Sequence, residues 1–332
     1  MKPRLLDWLV CPHDRGGLRL ESAEEKNDEI ESGSLTCVSC AKVYPIVRAV
    51  PRFVPSDDYA SSFGLQWNRF AKVQLDSNNG THYSRERFYA INEWRPPTLR
   101  HQLVLDVGCG AGRFAEIALS DGAEVIGVDL SSAVDAAYTN LGSHPQFHCL
   151  QASVYELPLA DAAFDYVYCI GVIQHTPDPQ RTVESILPKV KPGGVIGLWI
   201  YELNWKAFVG TLGFKYLLRP LTRRWDFEQT ERFSSALERF FWPVTRWARH
   251  RGKFGMLVMR MLPVASSYLN SVPLRDEDFR EWVKLDTIDM YSPKHDHPQT
   301  FATVKSWLEK AGFAVEPRRP HKGISITARR LT

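Results

Sequence analysis

The sequence predicts a doubly wound α/β fold, a parallel sheet with helices on both faces, joined to a small N-terminal β unit and a helical insert. Residues 101–201 alternate short apolar runs with helical patterns, as buried parallel strands and their crossover helices do. A glycine-rich segment directly follows the first apolar run. An aromatic and basic stretch interrupts the alternation at 202–298, and the pattern resumes over 299–332. We therefore expect residues 101–201 and 299–332 to form one core of strands and helices together.

Composition agrees with this fold class. The 332 residues are 44% hydrophobic and 24% charged, which is ordinary for a globular protein of about two domains. The net charge of +3 is too small to indicate nucleic-acid binding by itself. Neither a signal-peptide pattern nor an apolar run of transmembrane length is present. Cys109, Cys149 and Cys169 lack disulfide-like spacing, so we expect a cytoplasmic protein.

The first 55 residues contain two cysteine motifs, "CPHD" at 11–14 and "CVSC" at 37–40. Two C-x-x-C motifs would predict a zinc ribbon, and here an aspartate stands where the second cysteine is expected. Either that aspartate or the adjacent His13 would complete a three-cysteine zinc site. Alternatively, the apolar residues of "YPIVRAV" hold the unit together without metal. The candidate metal ligands are Cys11, Asp14, Cys37 and Cys40.

The remaining elements follow from local patterns. Residues 56–100 are aromatic and polar and predict a helical linker that also serves as a lid. "KPGG" at 191–194 predicts a turn. The apolar runs and periodic segments predict core strands at 102–107, 124–129, 147–151, 165–170 and 195–201, helices at 112–120 and 131–140, and a closing helix at 300–311 followed by strands at 313–319 and 323–330.

The segment "VLDVGCGAGRF" has the spacing D-x-G-x-G-x-G, with glycines at 108, 110 and 112 after Asp106. A dinucleotide-binding loop would have a third glycine where Arg113 stands. The glycines allow a ligand to approach the backbone at a helix N-terminus, or they simply make a tight turn. Asp129 ends the next strand, where an acidic side chain can accept from ribose hydroxyls. Loop and aspartate together favour a nucleoside-containing ligand.

These residues, with "LPLADAAFDYVYCIGVIQHTPDP" and "LPKVKPGGVIGLWIY", resemble the class I S-adenosylmethionine-dependent methyltransferases. The resemblance implies a Rossmann-like seven-stranded sheet whose last strand is antiparallel. It also implies a loop contact to the methionine part, a ribose contact by Asp129, and an adenine contact after the third strand. Ser153 occupies the place where the family usually has an acid, so the neighbouring backbone is an alternative partner for adenine. The cofactor residues so implied are Asp106, Gly108, Cys109, Gly110, Gly112, Asp129, Leu130, Ser153, Val154 and Ile170.

The N-terminal unit in turn resembles the small zinc-ribbon-like domain that serves as an activator subunit of some tRNA and protein methyltransferases. The resemblance is carried by "CPHDRGGL", "GSLTCVSC" and the proline-punctuated "YPIVRAVPRFVP". No chemistry is expected from this unit. Docking on the larger domain would replace the metal as a source of stability.

Methyl transfer to a hydroxyl needs alignment and removal of a proton, and His175 in "GVIQHTPDP" is the candidate base. It follows the fourth strand, at the edge where open α/β sheets bind ligands; a purely structural histidine is the alternative. Asp178 either orients it or belongs to the turn before Pro179, and the turn is favoured. The Asn/Asp-Pro-Pro-aromatic motif of adenine and amide N-methyltransferases is absent after this strand, which disfavours a nitrogen acceptor.

The insert carries a second polar cluster, "DMYSPKHDHP" at 289–298, which resembles a loop of bacterial methyltransferases encoded with natural-product and surface-glycan pathways. It is expected to face the substrate above the cofactor, to bind a metal through its two histidines, or to be a solvated connector. The candidate substrate residues are Tyr201, Tyr291, His295 and His297.

The segment "ERFSSALERFFWPVTRWARHRGKF" predicts a long amphipathic helix in which Pro243 introduces a kink. Its apolar face packs on the core as a lid, lines a pocket for a lipid-like or polycyclic acceptor, or contacts a membrane surface with the help of its arginines. The residues at helical spacing on this face are Phe233, Leu237, Phe240, Phe241, Val244 and Trp247.

The sequence therefore predicts an S-adenosylmethionine-dependent methyltransferase that methylates a hydroxyl of a small-molecule, glycosylated or lipid-like metabolite. The first alternative is an enzyme acting on tRNA or protein, with the N-terminal ribbon as recognition or activator element. Nucleic acid is disfavoured because the arginines alternate with apolar residues rather than forming a stripe. A cofactor-binding protein without catalysis is the second alternative.

Overall fold

The computed structural model describes residues 1–54, 60–203, 211–318 and 323–331, which form two sheets flanked by helices. The antiparallel N-terminal sheet consists of β1 (Leu18–Lys26), β2 (Glu29–Cys37), β3 (Val43–Val47) and β4 (Val50–Pro51). The larger sheet consists of β5 (Leu103–Val107), β6 (Glu124–Asp129), β7 (Phe147–Gln151), β8 (Phe164–Ile170), β9 (Val190–Ile200), β10 (Phe313–Val315) and β11 (Ile324–Arg330). The helices are α1 (Ser61–Arg69), α2 (Asp76–Asn79), α3 (Tyr83–Asn92), α4 (Arg113–Ser120), α5 (Ala133–Leu141), α6 (Pro179–Ile186), α7 (Thr211–Thr222), α8 (Phe227–Arg249), α9 (Gly252–Arg260), α10 (Asp276–Tyr291) and α11 (Phe301–Lys310).

The larger sheet has the strand order β10-β11-β9-β8-β5-β6-β7. Strands β5 to β9 pair in parallel, and β11 is antiparallel to both of its neighbours. β5 and β6 are almost entirely buried, which explains their continuous apolar runs. The prediction of a doubly wound seven-stranded sheet with an antiparallel last strand is confirmed. The order reverses beside β5, so the crevice for a ligand opens at its carboxyl end.

The turn predicted at "KPGG" falls inside β9 rather than before it. β9 spans Val190–Ile200, but residues 191–194 form none of its ladder pairs. Gly193 has a φ of +76°, and the pairing with β8 shifts register between Phe164 and Tyr166. The glycines therefore form a bulge within the strand, because a left-handed residue can be absorbed in a ladder without ending it.

The N-terminal sheet packs on the exposed edge of the larger sheet. Phe53 donates its backbone N–H to the carbonyl of Gln151 at 2.8 Å, and Arg52 forms a parallel bridge to the same residue, which ends the edge strand β7. Leu5 and Leu35 of the ribbon share one core cluster with strands of the larger sheet. The ribbon thus protects an edge strand and contributes to the main core.

The linker is helical, as its pattern predicts, and of helices α1 to α3 it is α3 that contacts the larger sheet; residues 55–59 lie outside the described part of the chain. α1 packs on α5 and carries Trp67 over the glycine loop. α3 lies on the sheet, where Thr327 of β11 donates to the carbonyl of Asn92 at 2.7 Å. One side of the ligand crevice is therefore formed by α1.

The insert is helical, as predicted, with residues 204–210 outside the described ranges. α8 is one helix that contains Pro243. The expectation that its whole apolar face packs inward is wrong, because Phe240, Val244 and Trp247 are exposed. Leu237 and Phe241 do pack against the core of the insert, and the buried Glu238 beside them pairs with Arg280 of α10 at 2.8 Å.

Candidate active site

The glycine loop after β5 has a backbone that side chains would obstruct. Gly108, Gly110 and Gly112 have φ angles of +79°, +52° and +91°. A Cβ on Gly108 would lie 2.3 Å from Val172 Cγ2, and one on Gly112 would lie 2.6 Å from Leu141 Cδ1. Both the backbone conformation and the close packing therefore require glycine. Cys109 is buried within the loop and has its side chain against Gly127.

Two aspartates flank this loop. The Gly110 N–H donates to Asp129 Oδ2 at 3.0 Å, and Ser131 donates to Asp129 Oδ1 through both its backbone N–H and its hydroxyl. Asp106 is buried, and its Oδ2 has no hydrogen-bond partner in the described residues. Burial raises the pKa of Asp106 to about 8, against the effect of the nearby Tyr168 hydroxyl. A cation beside Asp106 would restore its ordinary ionisation.

These features fit S-adenosylmethionine. The glycines leave room at the N-terminus of α4, and the unpartnered oxygen of Asp106 suits an ammonium group. Asp129, which is partly exposed, retains lone pairs for hydroxyl donors. Leu130 follows it, also partly exposed, at the same edge of the sheet.

The three residues expected at adenine lie after β7 and at the end of β8. Ser153 caps a 3₁₀ turn, because its hydroxyl accepts from the Tyr155 N–H at 3.2 Å. Val154 is the first residue of that turn, and Ile170 ends β8; both are partly exposed. Their contact with adenine stays a prediction.

His175 ends a 3₁₀ turn that begins directly after Val172, the residue against Gly108. The imidazole is buried, and its Nδ1 lies 3.1 Å from the carbonyl oxygen of His295. Because a carbonyl only accepts, Nδ1 carries the proton and Nε2 keeps its lone pair. This Nε2 is buried without a partner among the residues described. Burial lowers the pKa of His175, and Lys215 adds to the effect against Asp289.

Asp178 does not contact this imidazole but begins α6. Its carboxylate accepts from the Arg181 N–H at 3.0 Å, which is an N-cap. Asp178 is thus a helix N-cap and not a group that orients the imidazole; the carbonyl of His295 orients His175 instead.

The loop after α10 is fixed by a buried ion pair. Lys215 Nζ lies 2.7 Å from Asp296 Oδ2, and both side chains are almost fully buried. Tyr201 connects the pair to the histidine: its ring lies 4.9 Å from Lys215 Nζ and 5.4 Å from the His175 ring. The ion pair thereby positions the carbonyl that orients His175.

Replacing Lys215 by methionine is expected to lower the free energy of unfolding by about 3–5 kcal/mol, because Asp296 would remain buried without its partner. The double variant K215M/D296L should recover most of this loss, since no buried charge is left. Chemical denaturation of the three proteins measures both effects. A single variant as stable as the parent would show that the pair does not hold the loop.

The four predicted substrate residues have different positions. Tyr201 lies beside His175, and His295 supplies the carbonyl to it. The prediction for Tyr291 is wrong, because its hydroxyl donates to the carbonyl of Pro263 at 3.0 Å inside the insert. His297 is exposed, and its ring stacks on His295. His295 and His297 have no third metal-binding side chain beside them. In the described ranges, side chains that could share a metal ion come together in groups of three or more only at Cys11, Asp14, Cys37 and Cys40.

Several polar residues at the site have no motif that would reveal them. Arg113, the first residue of α4, donates to Ser84 at 2.9 Å and to Gln74 at 3.0 Å, and burial lowers its pKa to about 10. Gln74 in turn donates to Asp286 at 3.2 Å. Asp286 Oδ2 and both amide atoms of Gln174 are buried without partners in the described structure. The one signal in the sequence is that Arg113 directly follows the glycine loop, which indicates a position at the site.

The two cysteine motifs of the ribbon meet in one cluster. The ligand atoms of Cys11, Asp14, Cys37 and Cys40 all lie within 4.8 Å of one another, and the Cys11 and Cys40 sulfurs are 3.7 Å apart. Ligands of a tetrahedral zinc ion with Zn–S bonds of about 2.3 Å are about 3.8 Å apart, which matches this spacing. The Gly16 N–H donates to Asp14 and lowers its pKa, so the carboxylate is ionised. His13 is exposed and outside the cluster.

Two protein-family models and several named relatives match parts of this chain. A family described as a methyltransferase domain matches residues 105–198, and the Trm112p-like proteins match residues 2–48. The ubiquinone biosynthesis O-methyltransferase of Coxiella burnetii (strain RSA 331 / Henzerling II) is 31% identical over 184 residues, which cover 54% of this chain and 72% of that protein. The enzyme of the same name from Aromatoleum aromaticum is 37% identical over 126 residues, 36% of this chain and 53% of that one. Human N-acetylserotonin methyltransferase in complex with S-adenosylmethionine is 15% identical, with a TM-score of 0.46 over 84% of this chain and 61% of that one.

A Rossmann-like sheet with this loop defines the class I methyltransferases. The chain belongs to the S-adenosylmethionine-dependent methyltransferases and has a Trm112p-like N-terminal domain. S-Adenosylmethionine is therefore its cofactor, as the sequence predicts. In the part of the chain that the structure describes, every helix is too short or too polar to span a bilayer.

Proposed function

We propose that this enzyme methylates a hydroxyl group of a small-molecule acceptor, with His175 as the general base. The observation that carries the proposal is the buried, unpartnered Nε2 of His175, whose tautomer is fixed by the His295 carbonyl. A positioned histidine of this kind removes the proton of an attacking hydroxyl. The name of the Coxiella relative, an O-methyltransferase, supports an oxygen acceptor.

The cofactor supplies a methyl group on a sulfonium. The residues that would hold it are the loop 108–112 with Asp106 at the methionine part, Asp129 and Leu130 at the ribose, and Ser153, Val154 and Ile170 at the adenine. The loop lies against Val172, three residues before the base. The chain can thus align methyl donor and acceptor at one end of the sheet.

The acceptor is proposed to carry more than one polar group. The Gln174 amide, His175 Nε2 and Asp286 Oδ2 are buried without partners in the described structure. Each buried unsatisfied polar group costs about 1–3 kcal/mol, so a ligand that satisfies them gains that much binding energy. Tyr201 adds an aromatic wall beside the base. An aromatic or glycosylated acceptor with several hydroxyls matches this environment better than a hydrocarbon.

Radiolabelled methyl transfer from S-adenosylmethionine tests the acceptor class. The substrate source is a lysate of the producing organism without this gene, fractionated into organic-soluble, small polar, RNA and protein pools. We expect label in an organic-soluble or small polar pool, and none when the H175Q enzyme is used. Label confined to RNA or protein would overturn the proposal.

The second candidate is methylation of tRNA or protein, and the Trm112p-like match favours it. Under this alternative, tRNA binding should weaken steeply with rising salt because phosphate contacts release counterions. Filter binding of bulk tRNA at increasing salt concentrations measures this dependence. The absence of any salt-sensitive binding would leave only the protein version of this alternative.

We also propose that Cys11, Asp14, Cys37 and Cys40 hold a structural zinc ion. C37S and D14A should lower the zinc content of the purified protein from about one ion per chain, because each removes a ligand. H13A is the matched control and should keep its zinc, since His13 is outside the cluster. Elemental analysis measures the zinc content of all three variants. Zinc loss in H13A together with retention in D14A would show that His13, and not Asp14, is the fourth ligand.

A further inference from the structure

The α8–α9 hairpin presents a continuous apolar surface to solvent. On α8, Phe240 and Trp247 are 77% and 45% exposed at positions i and i+7 of one helix face, with Val244 between them. On α9, Phe254 and Leu257 are 60% and 57% exposed at positions i and i+3. The rings of Trp247 and Phe254 are 6.3 Å apart, which joins the two faces. Met261 extends the surface past the end of α9, and together these six residues are the hairpin patch.

The segment that carries the hairpin patch contributes only positive charge. Residues 239–262 contain five arginines and one lysine but neither aspartate nor glutamate. Arg246 and Arg249 pair with Asp276 at 2.8 and 3.0 Å. The other basic residues are exposed, and the Arg251 guanidinium lies over the Trp247 ring at 4.4 Å. The surface therefore combines exposed aromatic rings with exposed cations, one of which stacks on a ring.

We infer that the hairpin patch docks this enzyme on an anionic lipid surface. Amphipathic helices with Trp, Phe and Leu on one side and arginine or lysine at its border lie in the interfacial plane of a bilayer. The aromatic rings would enter the headgroup region, while the arginines and Lys253 meet lipid phosphates. A second copy of this chain would bring the same cations together, which disfavours a dimer at this surface. Nucleic-acid bases could stack on the rings, but they would leave the exposed aliphatic side chains of Val244, Leu257 and Met261 without apolar cover.

The inference is independent of the methyl acceptor and is tested by binding alone. The full-length protein is sedimented with vesicles of phosphatidylcholine and with vesicles of equal parts phosphatidylcholine and phosphatidylglycerol. We expect binding to the mixed vesicles that weakens with salt, and much weaker binding to the neutral ones. F254S should lower the affinity about tenfold through the lost apolar contact, and K253E at least about fivefold through the lost charge interaction.

Matched controls are an exposed apolar residue and an exposed lysine of the ribbon. V43S and K26E should bind vesicles as the parent does, because Val43 and Lys26 lie outside the hairpin. Unchanged S-adenosylmethionine affinity in all variants shows that each is folded. Equal sedimentation of F254S, K253E and the parent would overturn the inference. So would concentration-dependent dimerisation that F254S abolishes, or salt-sensitive tRNA binding that K253E abolishes, without vesicle binding.

Discussion

Replacing His175 by glutamine is expected to lower kcat by about 10²–10⁴-fold, the usual contribution of a positioned general base. Glutamine has a similar size and can still donate to the His295 carbonyl, but it offers no basic nitrogen at the position of Nε2. S-Adenosylmethionine affinity should stay near that of the parent. Single-turnover methyl transfer to the identified acceptor, with calorimetry of the cofactor, measures both quantities.

The pH dependence gives a second, independent readout. A general base must be neutral, and burial places the pKa of His175 below the ordinary 6.5. In the parent, kcat/KM should therefore fall only as the pH drops below that value, and it should stay level above it. This acid limb should disappear in H175Q. H297Q is the matched control, because His297 is exposed two residues after the orienting carbonyl; a large loss in H297Q and none in H175Q would assign the base to the loop.

Replacing Gly110 by valine is expected to reduce S-adenosylmethionine binding below detection. Gly110 has a φ of +52°, and a Cβ there would lie 3.3 Å from the Trp67 ring, on the backbone that the ligand approaches. Gly252 has the same φ of +52° with open space around it, so G252V carries a similar backbone penalty of about 1–3 kcal/mol. Calorimetric titration of the cofactor separates the effect of backbone strain from the effect of blocking the binding site. Both variants are strained, but only G110V should lose S-adenosylmethionine binding. Intact affinity in G110V would refute the proposed position of the ligand.

The parts that local patterns determine could be read from the sequence. Strands buried on both faces appear as apolar runs, so the core sheet was predictable. The glycines of the loop are required by its backbone conformation, so the position of Asp129 beside Gly110 was predictable as well. The Gln66–Asp289 contact at 3.4 Å joins residues 223 positions apart, and no periodicity encodes it. The burial of Tyr291 was unpredictable for the same reason.

The α8 face shows where periodicity fails. Apolar residues occur on more than one side of this helix, so spacing alone allowed either side to face inward. Glu238 on the inward side pairs with Arg280 of α10, a helix later in the chain, which no spacing within α8 could reveal. Leu237 and Phe241 pack inward, whereas Phe240, Val244 and Trp247 are exposed in the hairpin patch.

The ribbon's attachment to the edge of the larger sheet couples the stability of the two units. Leu5 and Leu35 share a core cluster with the catalytic sheet, and the backbone of Phe53 completes the edge at Gln151. Any free energy that a metal adds to the ribbon therefore also opposes unfolding of the methyltransferase. Metal supply would control how much active enzyme a cell maintains while leaving the turnover of each folded molecule unchanged.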